Sequence, residues 1–491
     1  MSDGAADQVQ VVGAVEINGS TLQLEDLAPV ATDLDAVFTI VDNDGTDLIT
    51  GSGFGTIIDN LAFLDPTVII NGGDGNDVSL QFRPLEIDVA SIAVNGNQTA
   101  TGNAFNSAPN TDPGIQALLA EFTPLTFAQA RAGLNSLSGE THASTQFATG
   151  SAGLFFADSV NNALGGFGLG DQARSNNGPT ASAALQALAL TPEETAARSR
   201  FYPANLVLNE NGATADRGYV FGRGLYRQSD IDADGNGAAT DTQNRGFIAG
   251  GGFNFNERFS AGVGIGYLRT DVDVDALDSE SETDAVIANI HARYKHNNYD
   301  LTGNLGYAFS SIDTERRVAV GAINQLARAD YDADTVFGSA ELGYTATLDQ
   351  FAFRPFVSGA FSHTSTDAFT ETGAGAANLV VGSSDNTLGQ FTVGASASTQ
   401  FNIGSALIVP RVEAAYDRLL GDLTPATSAA FQAGGISFNS VGAAPGRSRG
   451  RISAGFATVL SARINSYIEY QGVFSGNDRT HAVRSGLKVK F

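Results

Sequence analysis

From Arg217 to Phe491 the chain repeats a two-residue period twelve times, and the connections between repeats alternate strictly between very short and long. The segments run over Tyr219 to Tyr226, Phe247 to Phe255, Ala261 to Tyr267, Asn289 to Lys295, Asp300 to Ser310, Val336 to Leu348, Phe351 to Ser362, Phe391 to Ala397, Ile408 to Tyr416, Ile452 to Leu460 and Ile464 to Phe474, with Arg479 to Phe491 as the last. In the fifth, Leu301, Leu305, Tyr307 and Phe309 oppose Asp300, Thr302, Asn304 and Ser310. A side chain alternates faces along a strand, so each segment is a strand with one apolar and one polar face. Turns at Asn256-Glu257, His296 to Asn298, Asp349-Gln350, Asn402 to Gly404 and Ser461-Ala462 are short; those over Ser229 to Gln243, Asp271 to Glu282, Asp313 to Asp330, Thr366 to Asn386 and Gly421 to Pro445 are long and polar.

A soluble sandwich has no reason to sort its connections by length. A membrane barrel does, with short turns on one side of the bilayer and long loops on the other. No apolar run approaches 18 residues, so no transmembrane helix is expected. Eleven of the twelve tyrosines follow residue 215, and in a chain without tryptophan they supply the interfacial aromatics. Pro355 and Pro410 fall inside strands and each removes a ladder donor, which is tolerated at a rim or a bulge. The predicted fold is all-β: a twelve-stranded antiparallel transmembrane β-barrel over residues 216–491.

Composition narrows the function. A net charge of -26 and a pI near 4.4 argue against a nucleic-acid partner, which needs concentrated Lys and Arg. The absence of cysteine removes disulfides and Cys-based metal sites. There is no HExxH pair and no Gly-x-Ser-x-Gly elbow, so no catalytic residues are assigned. His291 falls on the lumen side of its strand, as a hydrated pore residue.

Upstream, residues 1–100 are short β-like runs between Gly, Asn and Asp; Gly72 to Asp77 matches the start of a calcium-binding nonapeptide once, and reads as a strand-linking turn. Residues 101–215 are linker. Asn95 to Pro124 reads as a first linker, Phe127 to Leu164 as one helix rich in small residues, and 165–215 as a second linker with a short helix candidate at Thr180 to Ala189. The Asp230, Asp232, Asp234 and Asp241 spacing fits a calcium loop without its flanking helices, and a solvated acidic loop is the alternative. Arg411, Glu413 and Asp417 share one strand face and are a candidate lumen charge network.

Taken together, Leu134-Asn135-Ser136-Leu137-Ser138-Gly139-Glu140-Thr141-His142, a helix and linker, and a barrel containing Arg354-Pro355-Phe356 and Pro410-Arg411-Val412-Glu413 and ending in Phe491 resemble the translocator end of type Va autotransporters. Residues 35–85 resemble the last rungs of a β-helical passenger stalk. The resemblance implies that Phe127 to Leu164 plugs the lumen, that the N-terminal part is exported through the outer membrane, and that the barrel-assembly machinery reads Val483, Leu487, Val489 and Phe491. Outer-membrane lipid, that machinery and periplasmic chaperones are the implied partners of a monomer without cofactor. Asn161-Asn162 is similar to the pair at which some autotransporters cut themselves, although it lies well before the first strand. The family carries an export signal and a longer passenger; neither is visible here, so a fragment or displaced start is expected, its missing passenger an adhesin or hydrolase. A porin-like channel is the remaining alternative.

Overall fold

The computed structural model describes residues 7–25, 36–164, 218–403, 406–461 and 463–491. The candidate helix at Thr180 to Ala189 lies outside the described residues.

The described residues up to 84 hold eight strands: β1 (Val9–Val12), β2 (Glu16–Asn18), β3 (Thr21–Gln23), β4 (Val37–Asp44), β5 (Thr50–Gly53), β6 (Thr56–Ile58), β7 (Leu64–Gly72) and β8 (Asp77–Pro84). The first three pair in parallel with the next three, β1 with β4, β2 with β5 and β3 with β6, as two stacked turns of a solenoid would. The β7–β8 hairpin closes the unit antiparallel, β8 beside β4. Gly72 to Asp77 is its turn, with Asp77 accepting from the Asn43 backbone N–H and Asn76 donating to the Gly45 carbonyl.

Four helices follow: α1 (Gly96–Ser107), α2 (Pro113–Phe122), α3 (Phe127–Leu137) and α4 (Glu140–Leu164). Two of them occupy what composition marked as linker, and their starts obey ordinary capping rules. Asn95 accepts from the Gln98 N–H, Asp112 caps α2 ahead of a proline, and Thr126 with Gln129 forms a capping box on α3. The single helix expected over Phe127 to Leu164 is broken at Ser138-Gly139, where Gly139 takes φ +71, the left-handed conformation that ends a helix at least cost to glycine.

The barrel comprises β9 (Gly218–Ile231), β10 (Thr240–Asn254), β11 (Phe259–Val274), β12 (Ser279–His296), β13 (Tyr299–Val320), β14 (Ile323–Tyr344) with its continuation β15 (Ala346–Leu348), and β16 (Phe351–Thr366). After β17 (Phe369–Thr370) and β18 (Leu379–Val381) it resumes with β19 (Ser384–Ser398), continued by β20 (Phe401–Ile403), and β21 (Ala406–Gly421). β22 (Ala426–Phe431) and β23 (Phe438–Val441) intervene before β24 (Ser448–Val459), β25 (Ile464–Phe474) and β26 (Asp478–Lys490). Each barrel strand is antiparallel to its neighbour, and β26 pairs with β9, so twelve strands close into a ring. Both prolines sit where a neighbouring ladder is interrupted: Pro355 faces the break between β14 and β15, and Pro410 the break between β19 and β20.

The long polar connections are more ordered than expected. Asp313 to Asp330 is the far end of the β13–β14 hairpin, and the stretches 366–386 and 421–445 supply a four-stranded sheet ordered β17-β18-β22-β23. On β13 the outward side chains Tyr299, Leu301, Leu305, Tyr307 and Phe309 are exposed and apolar, whereas Ser311, Asp313, Glu315 and Arg317 follow on the same face. Ten residues at about 3.3 Å each, tilted by about 40°, give an apolar band about 25 Å tall, which is the height of an outer-membrane barrel's lipid belt. Beyond it the polarity inverts, and the inward residues Ile312, Val318 and Val320 are buried.

What they meet is a cap. Phe105, Ile115, Leu118, Phe122, Leu134 and Leu137 of α1–α3 form one apolar core with Val318, Val320, Leu379, Val381, Phe431 and Phe438 from the hairpin and the outer sheet. Replacing the fully buried Leu134 by alanine should destabilise this cap by about 2–5 kcal/mol. The expected result is faster protease cutting within 96–137 while the barrel keeps its heat-modifiable gel migration; equal protection of the variant would show that the cap does not depend on this core.

Candidate functional site

The lumen is occupied by α4. Its sequence is dominated by Ala, Ser, Thr and Gly, and among its twenty-five residues nearly all are buried. Small side chains let a helix approach a barrel wall that has no room for a broad one. A close approach is at Gly153, where a Cβ would lie 2.7 Å from Ser362 Oγ and 3.1 Å from Thr335 Cγ2. Phe155, Phe156 and Val160 pack in one apolar cluster with Tyr219, Phe221, Leu268, Ile287 and Phe337. His291 is inward-facing as its strand period required, but it is buried and bonded to the Tyr219 hydroxyl at 3.0 Å, a packed residue and not a hydrated one.

Ion pairs fix the helix at two levels. At membrane depth Asp158 accepts from Arg484 at 2.7 Å and lies 3.4 Å from Arg451, which also clasps Asp417 through two nitrogens at 2.8 and 3.0 Å. Arg223 donates to the Ser159 carbonyl with its guanidinium over the Tyr467 ring, and Asn162 donates to Glu469 at 2.7 Å. Of the three charges predicted to share a lumen face, Arg411 and Glu413 pair with each other at 2.7 Å, while Asp417 is drawn to Arg451 on the neighbouring strand. The sequence pattern identified the face but not Arg451, Arg484 and Asp158, because cross-strand partners depend on register.

The second level lies outside the apolar band. Glu371 is buried and receives Arg316 through two nitrogens, the His142 ring at 2.8 Å and the Leu379 N–H at 2.7 Å. Arg316 also donates to the carbonyls of Ser136 and Ala377, tying α3 to the outer loops. Burial opposes the Glu371 charge, but the Arg316 guanidinium prevails and holds the carboxyl well below its usual range. Glu140, at the outer start of α4, accepts from the Ala238 N–H and from Asn97, yet it has no cationic partner; burial pushes its carboxyl up to about 7, with nearby Asp234 adding to the rise.

The remaining candidates are placed as follows. Asn161 donates to Ser339 Oγ at 2.7 Å and accepts from Asn304 at 2.9 Å, inside α4. Asp230 stands opposite Asp241 across the β9–β10 ladder, while Asp234 turns its carboxylate to the N–H groups of Asn236, Gly237 and Ala444. The four loop aspartates therefore do not form one ligand set, and among the described residues no group of three or more His, Asp or Glu is arranged to hold a metal ion. Val483, Leu487, Val489 and Phe491 all face outward and are exposed.

A closed twelve-stranded barrel with a polar lumen, an apolar exterior band and a helix through its pore defines a plugged outer-membrane translocator barrel. The model of the autotransporter β-domain matches residues 220–471, just over half of the chain, and the chain belongs to that family. Two extracellular serine proteases of Serratia marcescens are similar, at 26% identity over 261 residues (53% of this chain, 25% of the relative) and at 25% over 230 residues (47% and 22%). The chain thus spans about a quarter of the length of these curated relatives. Among solved structures, the translocator domain of NalP from Neisseria meningitidis is 15% identical with a TM-score of 0.45, covering 61% of this chain and 98% of that one. The β-domain of Bordetella BrkA is 16% identical with a TM-score of 0.44, covering 56% and 100%.

The raised Glu140 carboxyl gives a signed expectation. The folded cap binds that proton more tightly than the unfolded chain does, so its contribution is complete below about pH 4.5 and is lost as pH rises through 7, a change of about 3 kcal/mol at 1.36 kcal/mol per unit. Glu371 stays ionised across this window. Hydrogen exchange of the α1–α3 amides is expected to accelerate from pH 5 to pH 8 beyond its intrinsic rate, and Glu140→Gln should remove that excess; an excess that persists in the variant would place the titrating group elsewhere.

Proposed function

We propose that this chain is an outer-membrane translocator that exports its own N-terminal part and afterwards anchors it at the cell surface. The observation that carries the reading is the direction of α4. Its first residue, Glu140, lies beside the β9–β10 loop at the long-hairpin end, and its last, Leu164, lies beside Tyr219, Lys488 and Lys490 at the short-turn end, where the first barrel strand begins. A chain that has passed outward through its own barrel is left in this orientation. The parallel-paired strands β1–β6 on the far side of the cap are read as the end of the passenger, and the chemistry of the whole protein is assigned to whatever passenger it carries, with the barrel acting as conduit and anchor.

Insertion would rely on the barrel-assembly machinery reading the outward Val483, Leu487, Val489 and terminal Phe491, after periplasmic chaperones deliver the chain as a monomer. No nucleotide and no cofactor enters this scheme. The contacts that hold the Asn161 amide on the wall favour an uncut chain, so a single band at 50.8 kDa is expected after insertion, and two fragments meeting at Asn161 would establish self-cleavage.

The export reading is tested with a secretion leader and an epitope fused ahead of Val9. Protease added to intact cells is expected to remove the epitope; an epitope that stays protected until the outer membrane is breached would contradict export. In planar bilayers the full chain should pass little current and deletion of 140–164 should raise it severalfold, whereas an open full-length pore would favour a porin-like channel.

A further inference from the structure

Between α4 and the wall made by β9, β19, β21 and β24–β26 lies a cavity of about 80 Å³. A single water needs about 10–15 Å³ by the same measure, so the space holds several waters or one polyatomic ion. Four arginines and three aspartates line it, and their pairing is unequal.

Arg451 is matched by Asp417, and Arg484 by Asp158. Arg449 is matched more loosely: its carboxylate partner Asp478 lies 3.7 Å away, its NH2 donates to the Gln390 amide oxygen at 3.2 Å, and its buried Nε has no acceptor. Asp478 accepts the Gly446 N–H on Oδ1, and its Oδ2, which faces Arg449, is buried at that long separation with no closer donor. Arg227 has no carboxylate at all. It donates to Asn244 Oδ1 at 2.7 Å and to the Ser151 carbonyl and hydroxyl of α4, and the charges that act on it are those of Arg449 and Arg484. Arg227 and the loosely paired Arg449 thus line one space in which four guanidinium groups face three carboxylates, and Ser229, Gln390, Gln471 and Thr480 add hydroxyls and amides around them.

We infer that this cavity is a binding site for a tetrahedral oxyanion of phosphate or sulfate class, which neutralises Arg227 and Arg449 together. Guanidinium groups take such anions through paired N–H bonds, and the low local dielectric of an enclosed lumen makes an uncompensated charge costly. Because Arg227 simultaneously holds Ser151, the anion would fasten the plug helix to the wall, and its binding would stabilise the plugged barrel by mass action.

The test uses the full chain in detergent, with ionic strength held constant by sodium chloride. Inorganic phosphate is expected to raise the unfolding midpoint saturably, by a few degrees, and to give binding heat by calorimetry; Arg449→Gln, which removes a guanidinium held by Gln390 and a long contact to Asp478, should lose both. Selenate soaked into crystals should give an anomalous peak in the cavity against Arg227 and Arg449. No heat and no shift with the native chain, an equal shift in the variant, or selenate found only on the outer surface, an adventitious ion only, would each overturn the assignment.

Discussion

Closure of the backbone hydrogen-bond ring is the constraint from which the rest of the structure follows. Hydrocarbon offers no partner to a peptide N–H or C=O, so a sheet can cross a bilayer only if no edge is left open. Here the seam is made by β26 against β9 over Asp478 to Lys490, and it extends to the last residue, where Phe491 and Gly218 exchange N–H and C=O bonds at 2.9 and 3.0 Å. Once the ring is closed, every strand must show apolar side chains to lipid and leave its polar ones inside. The lumen then becomes a space lined by Arg, Asp, Asn, Ser and Thr that something has to fill.

What fills it is a helix whose composition would be weak in water. α4 mixes Ala with much Gly, Ser, Thr and Asn, which weaken a helix in water, so much of its stability comes from the wall. Phe155 and Phe156 supply apolar burial at mid-depth, Asp158 completes an arginine cluster that would otherwise be under-compensated, and at the outer end His142 joins the Arg316–Glu371 pair. Replacing one member of such a set exposes the others as unpaired buried charges, which is why these contacts specify the docked position even where their net contribution to stability is small. The same logic explains the cap: outside the membrane the strands have no lipid to face, so their inward residues turn apolar and need a core.

Much of this was legible in the residues. The period of two, the sorting of turns by length and the terminal strand gave the twelve barrel strands, since each is a local pattern. The lumen face of β21 was legible for the same reason, but its partners were not, because Arg451 meets Asp417 only through the β21–β24 register. Two signals were present and passed over. The caps at Asn95 and Asp112 announce two helices in a stretch whose Asn, Gly and Pro content looks like linker, and the apolar set on β13 changes face after Phe309, which marks where the membrane ends and the cap begins. The calcium spacing at Asp230 to Asp241 does not by itself gather a ligand set: Asp230 and Asp241 face each other on the ladder while Asp234 turns to backbone N–H groups, whereas an EF-hand loop wraps its carboxylates round one point.

The central claim, a helix docked in one register inside a closed lumen, is open to a direct test because the chain has no cysteine of its own. A Cβ on Gly153 would lie 3.5 Å from the Ser362 Cβ, within the separation that a disulfide spans. With Gly153→Cys and Ser362→Cys introduced together, the account predicts near-complete disulfide formation in the membrane-inserted protein, seen as a reductant-sensitive link between α4 and β16 after proteolytic cutting between them. Two freely maleimide-reactive thiols in a folded barrel would contradict it.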